Sequence, residues 1–92
     1  MQFTNFEQFW QFLSKELKTP KKFNTIQDKP FKAVFEVNRV RFIFDDQLSR
    51  VEYKKSFEEC FNLYKANAPR HEYRKASHNA SYVLPILYFY VK

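Results

Sequence analysis

Phe6, Phe9, Trp10, Leu13 and Leu17 recur at spacings of three and four, while Gln8, Gln11, Lys15 and Lys18 fall between them. That period puts the apolar residues on one stripe of a helix, and a stripe of rings at this spacing reads as core. Thr4-Asn5-Phe6-Glu7 has capping-box spacing, so the helix is expected to begin there and to stop before Pro20. Between residues 31 and 45, "FKAVFEVNRVRFIFD", the period changes from helical to alternating. A two-residue loop at Asn38-Arg39 would set Val37 opposite Val40, Phe35 opposite Phe42 and Ala33 opposite Phe44 on an inner face. The same register pairs Glu36 with Arg41, Val34 with Ile43 and Lys32 with Asp45 outside. A slip of one residue would bury the charges, so the pairing is strongly specified. Arg39 fits such a loop poorly, because both loop positions need positive φ.

"DDQLS" then reads as a turn, and "RVEY" (50–53) as a third strand with Val51 and Tyr53 inward. A fourth short strand fits around Phe23 to Ile26. Ser56-Phe57-Glu58-Glu59 repeats the capping-box spacing, and Phe57, Cys60, Phe61 and Tyr64 continue as a middle helix to about Ala66. The tail "SYVLPILYFYV" reads either as an edge strand, which its aromatic content favours, or as a helix. Three successive N-cap residue types, Ser77, Asn79 and Ser81, favour the helix, with Pro85 near its first turn. The expected fold is α+β, one domain over residues 1–92. A three-stranded antiparallel meander packs on an N-terminal, a middle and a C-terminal helix.

Composition narrows the function more than it names it. With 12 Phe and 6 Tyr in 92 residues, burial rests on rings. The longest apolar run is about half of a membrane-spanning helix of roughly 20 residues. Nothing at the N-terminus has the form of an export signal, so a cytoplasmic location without membrane attachment is the expectation. The chain has no glycine, which removes phosphate-cradling loops and dinucleotide fingerprints. Positive φ then falls to asparagine, with Asn38, Asn67 and Asn79 the candidates. Cys60 is the single cysteine and lies on the helix stripe, where burial makes it a packing group rather than a nucleophile. Cys60, His71, Glu72 and His78 match no metal-ligand spacing, and Asp45 and Asp46 fit a turn better than a magnesium site. No enzyme, cofactor or small-molecule substrate is expected.

The formal charge is +6, and after Cys60 five cations face only Glu72. Such an imbalance favours a polyanionic partner, DNA or RNA. The candidate surface is a polar loop carrying Arg70, His71, Tyr73, Arg74, Lys75, His78 and Asn79, extended by Lys54 and Lys55 before the middle helix. Arg and Lys can hold phosphates, Asn79 can pair with adenine, and Tyr73 can stack on a base. The rival reading is a protein-interaction or homodimerising module that uses the aromatic end "YFYVK". The order hairpin, strand, helix, polar loop, then Asn79-Ala80-Ser81-Tyr82 entering an apolar helix, spans Phe31 to Leu87. It resembles small DNA-contacting modules of bacterial restriction, defence and mobile-element proteins. That resemblance implies contact with DNA and no catalytic residue.

Overall fold

The computed structural model describes residues 3–45 and 48–91. Its elements are α1 (Phe6–Glu16), β1 (Lys21–Asn24), β2 (Pro30–Glu36), β3 (Arg39–Ile43), β4 (Ser49–Tyr53), α2 (Lys54–Lys65), α3 (Arg70–Ala76) and α4 (Ala80–Tyr90). The strands form one antiparallel meander in chain order, so the fold is α+β as expected, with β1 as the fourth strand. Among the described residues no helix is long and apolar enough to cross a membrane.

Helix α1 buries the expected stripe, and Phe9, Leu13 and Leu17 are fully enclosed. Its cap is Asn5 rather than Thr4. The Asn5 side chain accepts from the Gln8 amide at 3.0 Å, while Gln8 Oε1 accepts from the Thr4 amide at 2.8 Å. The cap is thus centred one residue later than the capping-box pattern suggests, with Gln8 reaching back to the amide before the cap residue rather than to that of Asn5. Glu7 is left free to pair with Lys54 at 2.8 Å.

The hairpin turns one residue earlier than expected. Phe35 faces Val40, Ala33 faces Phe42 and Glu36 faces Arg39, with Val37 and Asn38 as the loop. Both loop residues have positive φ, 43° and 80°. This register sets each large ring opposite a smaller side chain, where the expected one would have set Phe35 against Phe42. Asn38 is held further by Trp10, whose indole Nε1–H donates to Asn38 Oδ1 at 2.8 Å. Val37, expected inside, is the exposed tip. Parity survives the shift, and Phe35 and Phe42 share the inner face, packed against Trp10 and Tyr82 respectively. Lys32 lies opposite Ile43, not Asp45, whereas the Glu36–Arg41 pair persists diagonally at 2.8 Å. Asp46, half of the weighed acidic pair, lies outside the described residues.

Strand β4 has the opposite parity to the one expected. Glu52 is buried at 6 % exposure, Val51 is half-buried and Tyr53 points out. The acid is tolerated because its carboxylate accepts from the Ser77 hydroxyl and from the Tyr53 amide. Ser77 Oγ in turn accepts from the Asn79 amide at 2.9 Å, and the Asn79 side-chain amide donates to the Val51 carbonyl at 3.2 Å. The junction before α4 is thereby fastened to an edge strand, where an inward charge also deters pairing with another chain.

The α2 helix starts two residues before Ser56, directly from β4, with no side-chain cap. Asn67 ends it with φ 56°, as its residue type suggests, whereas Asn79 is not left-handed and Asp28 is. The C-terminal segment is helical. Pro85 is its sixth residue, in the second turn rather than the first. Helices α1, α2 and α4 pack on the inner face of the sheet, where Phe31 and Phe42 meet Tyr82 and Phe23 meets Tyr90, and α3 packs on α2 and α4.

Candidate nucleic-acid interface

The basic segment expected as a loop is a two-turn helix, α3. Its Tyr73 is the reason, since docking that ring at 4 % exposure against the core requires a helical face. Two candidates are consequently withdrawn from the surface. Tyr73 has no free ring face for a base, and Asn79 is buried with its amide engaged on Val51. Arg70, His71, Arg74, Lys75 and His78 remain exposed. Their field is partly cancelled: Glu72 lies 3.3 Å from His71 and 3.4 Å from Lys75. Glu59 of α2 shares a groove with Glu72 and Lys75. Lys54 and Lys55 belong to the first turn of α2, and Lys54 is committed to Glu7. The surface envisaged from sequence is therefore cationic only in part, and it lacks its stacking and base-reading groups.

The strands carry a sharper imbalance. Lys21, Lys22, Lys32, Arg39, Arg41 and Arg50 stand against Glu36 and Glu52. Lys21 ion-pairs with Glu16, and Glu52 faces inward. Alternation delivers Lys22, Lys32, Arg39 and Arg41 to the outer face with Glu36 as the one acid among the strand residues there, while Asp45, just past β3, lines a groove with Lys22 and Lys32. Lys22 is directly opposite Lys32, both exposed, and neither makes an ion pair among the described residues. Like charges placed so are destabilising. Beside them Arg41 lies between Glu36 and Ser49, at 2.8 Å and 2.9 Å, which fixes its guanidinium on the sheet. Glu36 is thereby engaged at short range by Arg41. Arg39 Nε stands 3.7 Å from the same oxygen, beyond hydrogen-bond distance, and is the one buried side-chain polar atom without a partner among the described residues.

Between these cations run Val34, Ile43 and Val51, half-buried, and at one end Tyr53 presents an exposed ring. None of these outer-face residues is buried, and every helix lies on the other side. Tyr53 was expected inward, so β4 parity hid it. The observed hairpin register sets Arg41 opposite Val34, one outer-face position along from Lys32, while leaving it paired diagonally with Glu36.

Cys60 is fully enclosed and its thiol is pushed up to about 12, by burial first and then by the charges of Glu52 and Glu59. Its contribution to stability is complete below its ordinary value of 9.0 and is lost as pH rises toward 12, so it acts as packing. Among the described residues no group of His, Cys, Asp and Glu is arranged to hold a metal. The aromatic end divides: Tyr88 and Phe89 are exposed, Tyr90 is buried, and its hydroxyl donates to Glu16 at 3.4 Å. No protein-family model matches the chain, and no curated protein or solved structure matches it.

Proposed function

We propose that the protein is a non-enzymatic binding module for single-stranded nucleic acid, and that the strand lies across the outer face of the sheet. The carrying observation is the opposed Lys22–Lys32 pair, which makes no ion pair among the described residues, on a face that no described helix covers. A phosphate chain relieves that repulsion, Arg39 and Arg41 add further contacts, and Tyr53 with the Val34–Ile43–Val51 strip offers base faces a surface. Stacking suits an unpaired strand better than a duplex, whose bases are already stacked. The exposed α3 cations steer the approach without forming the contact surface.

Fluorescence anisotropy of a labelled oligonucleotide tests this. The Lys22→Ala/Lys32→Ala pair should weaken binding at least tenfold and reduce the salt slope by about 1.4, at roughly 0.7 per lost phosphate contact. The Arg74→Ala/Lys75→Ala pair should weaken it much less. The reverse ranking would move the site to α3 and sink the sheet reading. A protein-interaction or homodimerising module is favoured by one other observation, an exposed patch of Ile26, Tyr88 and Phe89. Self-association that is indifferent to salt, seen by light scattering, would support that alternative.

A further inference from the structure

On the helical layer, away from the outer face of the sheet, α2 ends, α3 begins and α4 passes. A cleft of about 440 Å³ opens there. Tyr64, Lys65, Arg70, Tyr73 and Tyr88 line it, with no acid among the described lining residues. Tyr64 is a wall, because its hydroxyl donates to the Val91 carbonyl at 3.0 Å and its ring lies 5.7 Å from that of Tyr88. Lys65 Nζ touches the Phe3 carbonyl at 3.4 Å and sits 5.8 Å from the Phe61 ring, and it makes no ion pair among the described residues.

Tyr73 is the unexplained member. It is 4 % exposed, yet its hydroxyl makes no hydrogen bond among the described residues. The hydroxyl is also not sealed in, since the one fully buried side-chain polar atom without a partner among the described residues is Arg39 Nε, on the outer face of the sheet. It therefore faces the cleft. Burial and the neighbouring Tyr88, Cys60 and Tyr64 hold it protonated well into the alkaline range, so it serves as a donor. A donor that opens on a cleft bonds water there, and a ligand oxygen can take that water's place.

We infer that this cleft binds a phosphate monoester, with Arg70 pairing with the phosphoryl group, Lys65 adding positive charge from the rim, Tyr73 and Tyr88 donating to its oxygens, and the Tyr64 and Tyr88 rings flanking the attached group. A tetrahedral dianion matches this set better than a carboxylate, because its three terminal oxygens can each take a donor from a different wall. The site is independent of the sheet face and stands whether or not that face binds nucleic acid.

The test is a titration of the isotopically labelled protein with phenyl phosphate and with a 5′-phosphorylated dinucleotide, each against its unphosphorylated counterpart, followed by NMR up to about 20 mM. Saturable shifts at Arg70, Tyr73 and Tyr88 are expected with the phosphorylated probes alone. Phenyl phosphate acting by itself assigns a small-molecule source, and the dinucleotide by itself a strand end. Tyr73→Phe removes an oxygen that bonds nothing in the protein, so the fold is kept, and affinity should fall about tenfold. Arg70→Ala, at an exposed position, should weaken it at least as much. Absence of saturation, equal response to the unphosphorylated probes, or parental affinity in both variants overturns the site.

Discussion

The two faces of the one sheet are built from the same four strands and answer to different demands. The inner face carries Phe23, Phe31, Phe42 and Val40, and within them the buried carboxylate of Glu52. The outer face carries Lys22, Lys32, Arg39 and Arg41. Each face holds something that alternation alone would not recommend: an acid among rings on one, two opposed lysines on the other. They are resolved differently. Glu52 is supplied with a hydroxyl from Ser77 and an amide from Tyr53, so its presence is explained by the fold. The lysines make no ion pair among the described residues, and the one acid that lines a groove with them, Asp45, leaves their repulsion in place.

That contrast can be broken from either side. The largest effect is expected on the inner face: Ser77→Ala strips Glu52 of its hydroxyl donor and leaves the Asn79 amide without its acceptor. Stability should fall by about 3 kcal/mol, read by urea denaturation. A loss below about 1 kcal/mol would mean that water replaces the serine and that the acid is not resolved by the fold. A smaller effect is expected where the register that sorts residues between faces is fixed. Val37 holds φ 43°, uncommon for a β-branched residue, so Val37→Gly should stabilise the protein by about 1 kcal/mol. Destabilisation there would show that the Val37 side chain itself supports the turn. The smallest change in stability is expected outside. Lys22→Glu turns a repulsive cross-strand pair into an attractive one and should add about 0.5 kcal/mol while lowering oligonucleotide affinity. A variant both less stable and equally tight would erase the distinction between the faces.

Much of the architecture was legible in the sequence. The Phe6–Leu17 stripe, the alternation through Phe31–Phe44 and the stop at Asn67 are local, and local patterns state their period directly. Parity in the hairpin was readable even though the turn position was not, since Val37 and Arg39 are both poor at positive φ. What separated them was Trp10, a contact 28 residues away. In β4 the pattern misled, because Val51 and Tyr53 are the apolar residues and Glu52 is buried only by virtue of Ser77, 25 residues on. The same distance effect reshaped the candidate site. Charge placed it at residues 70–79, but Tyr73 and Asn79 are drawn inside by the core and by Val51. The opposed lysines become neighbours only once β1 pairs with β2.

Trp10 is the chain's one tryptophan, and its indole bonds the tip of the hairpin. The protein thus carries a label-free optical gauge of that single junction. Emission should stay blue while the tip is docked and shift red when it swings away, even with the helices intact, so opening of the hairpin can be timed separately from global unfolding.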